Sequence, residues 1–322
     1  MTNREQPPLT GVFPVLPTPF HEDGTPDADG LRTLVRYLLS SGVDGMTYPG
    51  VASEVSTLTE DERSTLTAVV LDEVAGRVPV VVGVSSSDAA VTERLARAAV
   101  KNGAAALMVA APPHLGSTAQ QADYFKALAV AVPAVPLMLQ NVPMPVGAGL
   151  EAQAVVDVLE AVPAIAYVKE ETLPSGQRLT AIRAGAPSTL TGVFGGAGGR
   201  YITDELRRGA CGTMPAIELA EVHVALFAAH RQGRLEEVRN IFSRMLPVLN
   251  IQSIFRWSLT KYVLLRRSLI GSSHQRMAGP RLDEIDQQDV DLFMDDMSDL
   301  LLSEAKTRAC IFNQQKVSNG TA

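Results

Sequence analysis

Cysteine, lysine and tryptophan are scarce in this chain, and each shortage bears on the class of protein. The two cysteines, Cys211 and Cys310, have no metal-ligand spacing and allow at most one disulfide, which excludes a disulfide scaffold and fits a reducing cytosol. His21, His223, His230 and His274 are too scattered to read as a metal site, so no metal is expected. Basic residues number 28 against 35 acidic ones, for a net charge of −7, and no basic stripe offsets this balance. A nucleic-acid footprint is therefore not encoded. No apolar run reaches membrane-spanning length, because glycine, proline or a charge interrupts each one. The stretch Met1–Pro8 lacks the apolar core of a signal peptide. Together these absences lead us to expect a soluble, cytoplasmic protein with neither a nucleic-acid nor a membrane partner.

What is present is a regular alternation. The 322 residues are 46% apolar and 20% charged, an ordinary globular balance in a chain long enough for an α/β barrel with additions. Strands are expected at 11–17, 44–49, 78–84, 104–110, 135–141, 165–169, 189–194 and 210–215, with a helical pattern between each pair. Val78 to Val84 is valine-rich throughout, as in strands buried on both faces of a parallel sheet. Thr59 and Glu62 form a capping-box start, and Asn102-Gly103 a helix stop. Eight βα units joined by short turns imply a closed (β/α)8 TIM barrel over 9–216. No dinucleotide fingerprint follows the first strand, which disfavours an open doubly wound sheet. Helices at 219–230, 235–249, 251–269 and 287–302 define a C-terminal helical extension over 217–305. The polar tail 306–322 is expected to fray.

One lysine stands apart. Lys101, Lys126, Lys261, Lys306 and Lys316 lie in polar, helix-like or tail segments, whereas Lys169 ends the apolar strand Ile165-Ala166-Tyr167-Val168 and precedes Glu170-Glu171. Strand alternation puts Ile165, Tyr167, Lys169 and Glu171 on one face and Ala166, Val168 and Glu170 on the other. On this stretch alone the simpler reading is a structural ion pair. Barrel active sites, however, lie at the C-terminal strand ends, and there Lys169 joins Gly50–Glu54, Gln140–Pro143, Gly195–Gly199 and Gly212–Pro215. In that company the lysine reads as an amine nucleophile toward a carbonyl. Glu54 reads as structural, Glu170 as an outward salt-bridge former, Phe194 and Met214 as barrel packing, and His114 as a solvated loop residue.

Several motifs in this order resemble the dihydrodipicolinate synthase/N-acetylneuraminate lyase superfamily. They are GVFPVLPTPF at 11–20, GVASEVSTLTEDER at 50–63, QNVP at 140–143, VKE at 168–170 and GVFGGAGG at 192–199. The resemblance covers about 9–305. It implies a lysine imine with the C2 carbonyl of a 2-keto acid, formed by Lys169 with no cofactor, in a homo-oligomer (dimer or tetramer).

The departures from the family's pattern also carry information. Where family synthases and lyases carry Gly-Thr-Thr-Gly-Glu or Gly-Ser-Thr-Gly-Glu, this chain has Gly50-Val51-Ala52-Ser53-Glu54. That leaves the amides of Val51 and Ala52, plus Ser53, for the substrate carboxylate. Gln140 stands where the synthase has a proton-relaying tyrosine. Pro112-Pro113-His114 stands at the second tyrosine, and the semialdehyde-binding arginine falls near Pro145. A 2-keto-3-deoxy sugar-acid dehydratase branch, with glutamine at the tyrosine position and a Lys-x-Glu signature, is the closer resemblance. It implies catalytic roles for Lys169, Glu171 and Gln140, with Asn141, Gly195 and Gly196 approaching the substrate. Aldol chemistry through the same imine, and a degenerate barrel kept as a binding protein, remain the alternatives.

Overall fold

A computed structural model describes residues 7–133 and 135–312. Its strands are β1 (Gly11–Val12), β2 (Met46–Thr47), β3 (Val80–Gly83), β4 (Ala106–Ala110), β5 (Leu137–Asn141), β6 (Ile165–Glu170), β7 (Gly192–Gly195) and β8 (Gly212–Thr213). All pairings are parallel, in the order β1-β8-β7-β6-β5-β4-β3-β2. Val15 bridges both Thr47 and Ala216, which brings the open edge nearly to closure. The fold is thus a (β/α)8 TIM barrel with C-terminal helices. Its strands are shorter than the apolar runs suggested. Pro14 and Pro17 have no N–H to give a ladder, so the first run ends its regular pairing at Val12.

Around the strands lie α1 (Ala28–Ser41), α2 (Glu60–Val74), α3 (Ala89–Lys101), α4 (Thr118–Ala131), α5 (Ala152–Ala161), α6 (Ser175–Gly185) and α7 (Ile202–Arg207). Their starts are chemically marked. Thr59 and Glu62 close the capping box of α2, and Asp27 caps α1. Two apolar layers result. Phe13, Val81, Met108, Met138, Tyr167, Phe194 and Met214 fill the barrel interior. Leu34, Val82, Leu107, Leu139, Val168 and Val193 belong to the layer between strands and helices.

The C-terminal region differs from the sequence expectation. It comprises α8 (Ala220–Arg231), α9 (Leu235–Phe255), α10 (Trp257–Arg266), α11 (Glu284–Asp295) and α12 (Glu304–Phe312). The expected break near Leu249 is absent. α9 runs on through Pro247, and the chain breaks instead at Arg256, whose φ of 35° lies in the left-handed region. The tail expected to fray from 306 is helical through Phe312, with Cys310 buried in the core; 313–322 lie outside the described residues.

Lys261 also departs from expectation. Assigned to a polar helical segment, it is in fact 1% exposed. Its ammonium pairs with Glu54, donates to the His274 carbonyl at 2.5 Å and sits 4.3 Å from the Phe20 ring centroid. Burial lowers its pKa to about 8, against the opposing pull of Glu54. Glu54 is structural, but its backbone donor is Met277 at 2.7 Å rather than an amide of its own loop. The pair therefore ties the loop after β2 to the C-terminal extension. Lys261→Met should lower the unfolding free energy by about 3–5 kcal/mol in urea titration, because Glu54 is left buried without its partner. An unchanged midpoint and slope would show that the pair is not a strut.

Candidate active site

The geometry of β6 decides which side chains enter the barrel. Leu137 pairs with Ile165 but Met138 pairs with Tyr167, so one residue of β6 is looped out between them. This bulge corrects the simple alternation: Ile165 packs in the outer layer, and Ala166 packs against the interior cluster beside Tyr167. Beyond the bulge alternation resumes, and Lys169 and Glu171 point inward above Tyr167. Lys169 lies in register with Gln140 of β5 and Phe194 of β7.

Lys169 Nζ is 3.1 Å from Glu171 Oε1, and their side chains are 5% and 14% exposed. The second Glu171 oxygen accepts from Gln140 Nε2 at 2.6 Å, and Oε1 also accepts from the Ala197 amide at 3.2 Å. Burial pushes the Glu171 carboxyl up, but Lys169, Gln140 and the Ala197 amide outweigh it and hold the group below the usual range. The site thus contains a buried carboxylate with a fixed orientation, one atom of which faces the amine. Gln140 is covered by this arrangement and does not border the cavity.

A cavity of about 370 Å³ opens over the pair. Val51, Ala52, Lys169, Glu171, Ala197 and Gly198 line its inner part. Val51 and Ala52 begin a short turn, Val51–Ser53, whose leading amides have no acceptor within the turn. Other sequence candidates lie elsewhere. Ser53 donates to the Leu16 carbonyl at 2.5 Å and accepts from the Gly50 amide at 2.9 Å, so its hydroxyl serves the loop itself. Asn141 points into the outer layer, bonding Leu150 through both amide atoms and Glu170 at 2.8 Å. Gly195 faces Glu205, and a Cβ there would fall 1.8 Å from its Oε2. Gly196 makes room for Glu171, whose Cγ would lie 2.5 Å from an added Cβ. His114 is exposed and does not border the cavity.

Glu170 faces away from the interior, yet it is fully buried. It accepts from Asn141, from the Thr172 amide at 2.7 Å and pairs with Arg178 at 3.5 Å. Burial raises its pKa against those partners. Residues that sequence reasoning missed come mainly from beyond the barrel strands: Arg200, Tyr201, Gln252, Arg256, Trp257 and Thr260 border the outer cavity. Trp257 donates through Nε1 to the Val51 carbonyl at 3.0 Å, fixing the loop after β2. No strand-end pattern marks these positions. Arg200 and Tyr201 reach the mouth on the turn after β7, and Gln252, Arg256, Trp257 and Thr260 reach it because the chain breaks at Arg256, which helical periodicity does not reveal.

The nearly closed βα barrel carries a lysine–carboxylate pair at its strand ends, the place where barrels of this class bind small molecules. Residues 8–289 match the dihydrodipicolinate synthetase family, and the chain belongs to it. It is 30% identical over 288 residues to L-2-keto-3-deoxyarabonate dehydratase of Azospirillum brasilense, covering 88% of this chain and 92% of that one. Identity to 4-hydroxy-tetrahydrodipicolinate synthase of Pelodictyon phaeoclathratiforme is 31% over 274 residues, covering 83% and 90%. Among solved structures, dihydrodipicolinate synthase of Rhodopseudomonas palustris superposes with a TM-score of 0.83 at 28% identity, over 89% of this chain and 97% of that one.

A third carboxylate near the site gives a test of its electrostatics. Glu205 of α7 is 1% exposed and accepts from Ser175 at 2.7 Å. Burial raises its pKa to about 7 from 4.5, opposed by Ser175 and reinforced by Glu171. A raised carboxyl pKa favours folding while the proton is held, so this contribution is full below about pH 4.5 and lost as pH rises through about 7. Glu205→Gln should therefore gain about 1–3 kcal/mol relative to the parent between pH 5 and pH 8, measured by chemical denaturation at each pH. A difference that stays constant with pH would refute the raised pKa.

Proposed function

We propose that this chain is a Schiff-base-forming lyase that dehydrates a 2-keto-3-deoxy sugar acid. The observation that carries this reading is the contact of Lys169 with Glu171, since it puts a nucleophilic amine and a proton carrier on one substrate. The amides of Val51 and Ala52 would hold the C1 carboxylate. Lys169 adds to the C2 carbonyl and expels water, leaving an imine whose electron demand acidifies C3. Glu171 takes a C3 proton and returns it to the C4 hydroxyl, which leaves as water. A second water hydrolyses the imine and frees Lys169. One carboxylate thus does the work that a phenol would do at position 140. Gln140 cannot relay protons as a phenol does, but its N–H keeps Glu171 aimed. The identity to a sugar-acid dehydratase supports the substrate class. The same imine would serve aldol chemistry, which product analysis distinguishes. A homo-oligomer, dimer or tetramer, belongs to this reading, and sedimentation measures it.

Borohydride reduction in the presence of pyruvate should add the mass of the reduced adduct at Lys169 and nowhere else, and Lys169→Ala should abolish it. An adduct on Lys261, the other buried lysine among the described residues, would overturn the assignment.

Glu171→Gln should still form the adduct but lose about 10²–10⁴-fold in kcat, with a smaller change in KM. Glu170→Gln should instead lower the melting temperature, because Asn141, Arg178 and the Thr172 amide lose a charged acceptor. Equal turnover losses in the two variants would remove Glu171 from the acid–base role.

A further inference from the structure

The cavity has two chemically distinct ends. Its inner end holds Lys169 and Glu171, which pair with each other. Its outer end carries two arginines, Arg200 and Arg256, and among the described residues neither has a carboxylate within ion-pair distance. In a chain of net charge −7 this is a local excess of positive charge facing one cavity.

Arg200 is held through its side chain and Arg256 through its backbone. Arg200 follows the glycine-rich turn after β7 and is half-buried. Its Nη1 donates to Gln252 Oε1 at 2.6 Å, and Gly198, at a φ of 71°, leaves Gln252 the room to approach. Glu218, the acid whose charge acts on Arg200 from behind the wall, is buried and accepts from Thr260 at 2.9 Å. Burial raises its pKa to about 7, which makes it a weak counter-charge at neutral pH. Arg256 occupies the break between α9 and α10 at a φ of 35°, a conformation that non-glycine residues rarely adopt. Backbone bonds to Gln252 at 2.9 Å and from Thr260 at 3.1 Å fix that break. The side chain stays exposed at the mouth, with its guanidinium 6.0 Å from the Trp257 ring centroid.

We propose that Arg200 and Arg256 form a subsite for a second carboxylate, at the end of the substrate remote from the ketone. The preferred substrate is then a dicarboxylic 2-keto acid. This rests on the imine reading, which fixes the ketone at Lys169 and sends the tail outward. Arginine suits the task because its planar fork meets a carboxylate with two parallel donors. Two positive groups at the mouth also draw a dianion toward the cavity before it docks.

The test uses pairs of simple 2-keto acids matched in carbon number: 2-ketoglutarate against 2-ketovalerate, and 2-ketoadipate against 2-ketohexanoate. The concentration giving half-maximal borohydride trapping on the intact protein should be about 10-fold lower for each dicarboxylate, as a charge-assisted contact warrants. The advantage should shrink in high salt. In Arg256→Gln and Arg200→Gln the ratio within each pair should fall toward one. Arg94→Gln, which alters only an exposed pair with Glu60, should leave the ratio unchanged. A pyruvate adduct on Lys169 with no discrimination within the pairs overturns this proposal alone. A ratio that persists in both arginine variants overturns it as well. No adduct with pyruvate or any other acid overturns the imine reading and this one with it.

Discussion

A buried ammonium and a buried carboxylate two residues apart on one strand set most of what this barrel must do. Each alone would carry a large desolvation penalty, and their mutual attraction offsets it only when the geometry holds. Here the geometry is held from three sides. β6 stays extended beyond its bulge, so Lys169 and Glu171 share a face. Gln140 on β5 claims one carboxylate oxygen. The turn after β7 supplies the Ala197 amide and, at Gly196, the absence of a side chain where Glu171 must lie. Three neighbouring strands are therefore adjusted to one pair. The long methionine and aromatic side chains beneath it, Met138, Phe194 and Met214, keep water out from below.

The C-terminal helices extend this constraint rather than merely covering the barrel. Lys261 and Glu54 join α10 to the loop after β2, and Trp257 joins α10 to Val51 of the same loop. The turn that borders the cavity is thus positioned by residues roughly two hundred positions away in sequence. That coupling ties the C-terminal helices to the barrel mouth. It also means that the outer wall of the cavity is set by how α9 meets α10.

Much of this arrangement was legible in the residues, and the reasons differ from element to element. The barrel followed from eight apolar runs alternating with capped helical patterns, because period and turn chemistry are local properties. The inward position of Lys169 at the barrel mouth followed from its place at the end of an apolar strand together with the strand-end loops around it. The bulge in β6 did not, since Ile165-Ala166-Tyr167 reads as an ordinary strand and only the register with β5 reveals the extra residue. Asn141 and Ser53 were misread for a related reason. Both are polar residues in the right loops, but their side chains satisfy buried backbone groups that no local pattern displays. Lys261 looked like a solvated helical lysine because its partner, Glu54, lies far away in sequence.

The loop at 50–54 shows how these substitutions combine. In Gly50-Val51-Ala52-Ser53-Glu54 the two cavity-facing side chains, Val51 and Ala52, have no hydroxyl, and the Ser53 hydroxyl is consumed within the loop. A carboxylate docked there would meet backbone donors alone. Such donors orient an anion well, but with fewer contacts they leave less binding energy at that end. Binding energy made elsewhere on a substrate can be used to place its reacting atoms, provided the remote contact is rigid. Arg200 meets that condition through its brace on Gln252, while the exposed Arg256 side chain is anchored at its backbone by a break bonded on both sides. Loss of hydroxyls at the inner end and a braced cationic wall at the outer end are therefore complementary. On the proposed imine reading, both would move recognition away from the keto-acid head and toward the tail.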